Sequence, residues 1–390
     1  MDHSHRSLIV LASAGVLAAA ATGLALADSP GTARAHTRTQ AALDAIVRQG
    51  TPGVIAEVKN GDHRWNGTAG VAEIGGRPRA SGERFRIASM TKPFTATVLL
   101  KLEADGELSL DDSVERWLPG VVRGTGYHPE KITIRRLLNH TSGIFNYNND
   151  EGFRARYAGD EFDKNRHTRI APRELVNIAL THPAVFQPGE RGRWEYSDTN
   201  YILAGMVIEK VTGNSFADEV KEKVIKPLEL SDTIVPGTSP QLPPPHAVHY
   251  STLFEDGPNA KIRDVTEFSP TVAWSAGEII STTADVNTFL SRLMRGDVLP
   301  PAQHRAMFRT VRVEGADGHG GAKDRYGLGI RKFRLGKGCW VWGHGGMLPG
   351  SASRTAATRD GQHVLTMNRN GDWGEQKLED AVLKTEFCRQ

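Results

Sequence analysis

The strand-like runs of this chain are confined to its two ends, and that division constrains the fold more than any single motif. Val54 to Val58 and Arg64 to Ala72 are β-like runs joined through Asn60-Gly61, a dipeptide that supplies positive φ in a two-residue hairpin turn. Strand character returns only after Ser275, in Tyr326 to Leu335, Cys339 to Gly343, Ser353 to Thr358 and His363 to Asn368, with Asp360-Gly361 as a second hairpin turn. Between about residues 107 and 270, short helical stretches such as Ile134 to Asn139 and Tyr201 to Val211 are broken by loops rich in Gly, Pro and Asn. A helix from Thr39 to Gln49, with Ala42, Leu43 and Ile46 on one face, precedes the first strands. Another runs from about Glu375 to Phe387. The pattern predicts an α/β protein of the α+β type: a central antiparallel sheet flanked by helices, with an inserted all-helical lobe. The sheet lobe is expected from about 41–88 and 275–390, and the helical lobe over about 89–274.

Composition removes other classes. At 390 residues, 39% hydrophobic and 24% charged, the chain can build a large core and is close to the soluble globular average. Lys plus Arg number 48 against 45 Asp plus Glu, without basic blocks, so nucleic acid is excluded as a partner. His3, His5 and Arg6 precede an uncharged run from Leu8 to Ala27 that ends in a small-x-small pattern. This predicts a signal peptide over 1–27, a flexible leader over 28–40, and a secreted monomer with no membrane span after cleavage. Only two cysteines are present, Cys339 and Cys388, enough for one bridge in an oxidising space; two buried free thiols are the alternative. Neither has a metal-ligand neighbour at the usual spacing, and no metal or organic cofactor is expected.

The chemistry is concentrated in a few short segments. The chain has no G-x-S-x-G elbow, H-E-x-x-H pair or P-loop. It has one S-x-x-K, Ser89-Met90-Thr91-Lys92, at the start of a predicted helix. A spacing of three puts serine and lysine on one helical face, and the helix N-terminus adds unpaired N–H groups and a positive partial charge. Taken alone, the tetrapeptide reads as an N-cap serine with a solvated lysine one turn on. Tyr196 opens a later helix, where a phenol can relay a proton. Gly343-His344-Gly345-Gly346-Met347 closes a strand whose bare glycines let a substrate backbone lie alongside. Arg331, on the preceding strand, can hold a carboxylate bidentately. Singly, Tyr196, His344 and Arg331 read as a core aromatic, a satisfied interior histidine and a surface charge.

In that order, S-x-x-K, Tyr-Ser-x and His-x-Gly, the chain resembles the penicillin-recognising serine hydrolases. It is most similar to the secreted serine D-alanyl-D-alanine carboxypeptidases, relatives of the class C β-lactamases. The resemblance spans about Ala41 to Cys388 and includes Phe85-Arg86-Ile87-Ala88, Leu138 to Gly143, Pro188-Gly189 and Ser275-Ala276-Gly277. It implies that Ser89 is the acylated nucleophile, that Lys92 and Tyr196 move protons, and that the Ser89 and Met347 N–H groups form an oxyanion hole. It further implies His344 beside the site, Trp274 in the pocket wall, Arg331 on a substrate carboxylate, and a Cys339–Cys388 disulfide. The expected partners are peptidoglycan-type D-Ala-D-Ala peptides and β-lactams.

Two departures separate the chain from that pattern. Asp198 stands where the family has an asparagine that donates to substrate; a carboxylate accepts but does not donate, and its charge favours an ammonium on Lys92. The strand reads His344-Gly345-Gly346-Met347 where the nearest carboxypeptidases have His-Thr-Gly-Thr, so two hydroxyls near the carboxylate site are gone. The leading expectation is a secreted D-Ala-D-Ala carboxypeptidase working through an acyl-enzyme. An esterase or D-aminopeptidase on the same scaffold is the alternative, and an inactive cell-wall binding protein the alternative from another class.

Overall fold

The structure, a computed structural model, describes residues 30–255, 257, 260–313, 324–374 and 376–388. The expected signal peptide lies outside the described residues. Helix α1 begins at Pro30 rather than at Thr39 and runs to Arg48. Proline is at home in a first turn, where its missing N–H has no bond to lose.

Strands β1 (Gly53–Asn60) and β2 (His63–Gly70) form the expected hairpin, with Asn60 paired to His63. The turn residues are therefore Gly61 and Asp62, one position later than the sequence suggests, and Gly61 supplies the positive φ of 61°. After the helical insertion come β3 (Val311–Arg312), β4 (Arg325–Tyr326), β5 (Arg331–Gly336), β6 (Cys339–Leu348), β7 (Ser351–Ala357) and β8 (His363–Arg369). They make one sheet in the order β2-β1-β8-β7-β6-β5-β4-β3, antiparallel at every pairing. The single strand expected over Tyr326 to Leu335 is two. At Gly327-Leu328-Gly329 the backbone dips out of the ladder, with the Gly329 N–H on the Leu138 carbonyl and φ at 74°.

Both faces of the sheet are covered. In β1, Val54, Ala56 and Val58 enter a core with Leu43 and Ile46 of α1 and with Val382 and Leu383 of helix α5 (Gln376–Phe387), while Ile55 enters the larger core on the other side. Burial on two faces explains why Val54, Ile55 and Ala56 are consecutive apolar residues of β1 and do not alternate with polar ones. The second face carries helix α2 (Lys92–Ala104) and helix α4 (Thr283–Arg295), whose Phe94 and Phe289 rings stack at 3.8 Å. The Cys339–Cys388 disulfide, with Cα atoms 5.6 Å apart, ties the start of β6 to the end of α5.

In the helical lobe, helix α3 (Asp198–Thr212) is buried along most of its length, so its apolar residues do not sort onto one stripe. Gly205 lets the Trp274–Gly277 turn dock against it: a Cβ there would collide with the Ser275 hydroxyl, which donates to the Tyr201 carbonyl at 2.9 Å. This close approach fixes α2, α3 and the Ser275 turn against one another.

Candidate active site

A 3₁₀ turn over Ala88–Thr91 leads into α2 and presents Ser89. The turn is held from several sides. Phe85 and Arg86 pair with Ser281 and Ile280, the Ile87 N–H donates to the Ile279 carbonyl at 2.9 Å, and Ser351 Oγ donates to the Arg86 carbonyl at 2.8 Å. Within this frame Ala88 takes a φ of 49°, in the left-handed region that costs an alanine on the order of 1 kcal/mol or more. Strained backbone just before a candidate nucleophile is compatible with a turn shaped for exposure of the serine and not for its own stability.

Lys92, one turn on, has no exposed surface. Its Nζ donates to Ser89 Oγ at 2.9 Å, to the Ala276 carbonyl at 2.9 Å and to Asp198 Oδ1 at 2.6 Å. These three acceptors match the three N–H bonds of an ammonium group. Asp198 is the first residue of α3, where the helix dipole favours a carboxylate. Its N–H donates to Asn146 Oδ1, and its Oδ2 accepts from Asn148 Nδ2 at 2.7 Å. The Asp198 side chain keeps 13% of its surface exposed. Tyr196 is buried beside them, its ring centroid 4.9 Å from Lys92 Nζ.

Strand β6 forms the opposite side. Gly346 packs on the Ser89 turn so closely that a Cβ would collide with the Ile87 carbonyl oxygen. β7 accompanies β6 as far as Leu348, whereas the β5 pairing ends at Gly343 with Arg331. Among the described residues, Gly345 to Leu348 are therefore strand-paired on one edge alone, which leaves the other for an extended ligand backbone. Met347 has 61% of its surface exposed.

His344 lies buried on this strand. Its Nδ1 is 2.6 Å from the Gly345 carbonyl and its Nε2 is 2.9 Å from the Tyr326 hydroxyl. A carbonyl only accepts, so Nδ1 carries the proton and, in the neutral ring, Nε2 accepts from Tyr326. Arg331 is buried too, with Nη2 at 3.7 Å from Asp324. Burial pushes its guanidinium below the usual arginine range, and the Asp324 charge opposes that shift. Its Nε and Nη2 have no hydrogen-bond partner among the described residues. The Trp274 ring packs toward Gly205 and Phe216, at the edge of the helical lobe's core.

The structure thus brings Ser89, Lys92, Tyr196 and Asp198 together, places Gly345, Gly346 and Met347 along one side, and sets His344 and Arg331 in the sheet next to them. Two contributors, Asn148 and Asp324, do not stand out in the sequence, and the Ser275-Ala276-Gly277 segment does not show there that the Ala276 carbonyl accepts from Lys92. Asn148 and Asp324 are common polar residues in loops with no periodicity, and Ala276 acts through its backbone, so only the pairing distances reveal them. Among the described residues no group of three or more His, Cys, Asp or Glu side chains is arranged to hold a metal ion.

Fold and site together define a serine hydrolase. A sequence profile of the Beta-lactamase family matches residues 16–386. The chain belongs to that family, and it is similar to several proteins of known sequence and structure. Penicillin-binding protein 4* of Bacillus subtilis is 28% identical over 344 residues, covering 85% of this chain and 70% of that protein. The crystal structure of a D-stereospecific amidohydrolase from a Streptomyces species superposes with a TM-score of 0.83 at 45% identity, covering 90% of this chain and 98% of that one. That of the D-amino acid amidase from Ochrobactrum anthropi SV3, complexed with L-phenylalanine amide, superposes with a TM-score of 0.77 at 27% identity, with coverage of 90% and 98%.

Proposed function

We propose that this protein is a D-stereospecific amidohydrolase that cleaves amides and short peptides of D-amino acids through an acyl-enzyme on Ser89. The observation that carries the reading is charge compensation: Lys92 has Asp198 at 2.6 Å and Arg331 has Asp324 at 3.7 Å. Each cation beside the cleft carries its own carboxylate, so the site offers little excess positive charge to a substrate's terminal carboxylate. The 45% identity to a D-stereospecific amidohydrolase supports the same choice.

In this mechanism Ser89 Oγ attacks the scissile carbonyl carbon while its proton passes to Nζ of Lys92 in the free-amine form, with the Tyr196 phenol beside the path. The tetrahedral oxyanion is held by the Ser89 and Met347 N–H groups. The proton then goes to the departing amine as the C–N bond breaks. Water repeats the sequence on the acyl-enzyme, releasing the D-amino acid and restoring Ser89. His344, with both nitrogens engaged, positions the strand. Incubation with D- and L-phenylalanine amide tests the reading: the wild type releases ammonia from the D form selectively, and Ser89→Ala loses at least about 10³-fold in rate. L-selective release, or activity that survives in the variant, refutes it.

A D-Ala-D-Ala carboxypeptidase that β-lactams acylate is the second reading, favoured by the buried Arg331 Nε and Nη2 that no described residue accepts from. Under it, Arg331→Ala loses release of D-alanine from D-Ala-D-Ala peptides while ester hydrolysis survives. Equal loss on both rejects it. Under either reading the uncharged run from Leu8 to Ala27 supports export and action outside the cytoplasm.

A further inference from the structure

The carboxylate at position 198 bears on which end of a substrate the site reads, and the inference drawn from it rests on the amidohydrolase reading. In an α-amino amide the nitrogen and the carbonyl carbon share one Cα, so they are about 2.5 Å apart by bond geometry. With the carbonyl carbon at an attack distance of about 3–3.5 Å from Ser89 Oγ, the amino nitrogen stays within about 6 Å of that oxygen. Asp198 Oδ1 is inside the same sphere: the two hydrogen bonds through Lys92 Nζ, 2.9 Å and 2.6 Å, keep it within about 5.5 Å of Oγ. A carboxylate so placed is within reach of the substrate's amino group.

The immediate surroundings suit a cation. Asn146 fixes the start of α3 by accepting from the Asp198 N–H, and Asn148 holds Asp198 Oδ2 through its own amide N–H. A primary amide that donates through its nitrogen has its oxygen left as an acceptor. Asn148 is partly exposed, as Asp198 is. The Asp198 carboxylate only accepts, which satisfies the N–H bonds of an ammonium group and meets an acylated nitrogen's carbonyl with repulsion. An asparagine at 198 would present a donor there and leave Lys92 without an anionic partner.

We propose that Asp198, supported by Asn148, binds the free α-ammonium of the residue whose carbonyl is attacked, making this enzyme selective for substrates with an unblocked amino terminus. Arrival of that cation also draws on the carboxylate that otherwise pairs with Lys92.

The test measures kcat/KM for D-phenylalanine amide, N-acetyl-D-phenylalanine amide and the hydroxyl analogue D-3-phenyllactamide, with p-nitrophenyl acetate as a substrate that has neither amide nor amine. The wild type is expected to prefer the free amine to both analogues by at least about 30-fold. Asp198→Asn is expected to shrink the ratio of free amine to N-acetyl substrate at least tenfold, a ratio in which general losses from the substitution cancel. Equal rates on the three amides in the wild type, or an unchanged ratio in the variant, overturn the ammonium site alone. Hydrolysis of p-nitrophenyl acetate with no turnover of any amide overturns the amidohydrolase reading and the ammonium site with it. The wild-type comparison stands even where Asp198→Asn fails to fold.

Discussion

Gly346 shows how much of the site rests on what a residue lacks. Its Cα lies against the Ile87–Ala88 peptide, where a methyl group has no room, and Ala88 holds a left-handed φ directly before Ser89. Strand and nucleophile turn are in contact through bare backbone, so their separation is set by the absent side chain. Gly346→Ala is expected to push β6 away from the turn and misplace the Met347 N–H proposed to hold the oxyanion. Loss of one oxyanion-hole donor costs on the order of 10²-fold in kcat. Amide and ester turnover should fall together, and mainly in kcat; a rise in KM with kcat intact would show that the glycine serves substrate access instead. At this scale much was legible. Serine and lysine three apart share a helical face, yet it is the order of the motifs and the resemblance it carries that single out Ser89, Lys92 and Tyr196, whereas Asn148 and Asp324 contribute through contacts that no spacing encodes.

Helices α1 and α5 lie together on the outer face of the sheet, and their junction has a titratable centre. Glu386 on α5 is reached by Thr39 Oγ1 at 2.6 Å and by His363 Nε2 of β8 at 2.8 Å, with His36 Nδ1 at 3.6 Å. Burial by itself pushes this carboxyl up, but the contacts with His36, His363 and Thr39 outweigh it and hold it down at about 2, against an ordinary 4.5. The unfolded chain therefore takes up a proton between pH 4.5 and 2 that the folded chain refuses, and stability present above pH 4.5 drains away as pH falls through that window. The loss is on the order of 3 kcal/mol. Urea unfolding from pH 6 to pH 2 should show wild type and Glu386→Gln converging as pH falls; a constant gap would remove Glu386 from the acid response. Elements of this kind were readable as to type and less so as to limits. Gly61 moved the first turn by one position, and the Gly327–Ile330 dip divided a run that looks continuous, because Gly329 approaches α2 where a Cβ would come within 2.8 Å of the Lys92 carbonyl oxygen.

For the molecule as a whole, a sheet drawn from both chain ends around a helical insertion could be read from where strand-like runs and turn dipeptides fall. Strand order and register were not so readable, since they follow from which buried faces fit together, as when Val54, Ala56 and Val58 meet residues of β8. That arrangement bears on when the Ser89 turn is braced. β1 pairs on one edge with β2, its immediate neighbour, and on the other with residues 363–369. Closing a loop of about 300 residues costs on the order of 5 kcal/mol before any contact repays it. A chain emerging from its N-terminus has Ser89, Lys92 and Asp198 long before it has the strand against which the nucleophile turn is braced. The Ser89 turn therefore has its brace only once β6, late in the chain, has been made.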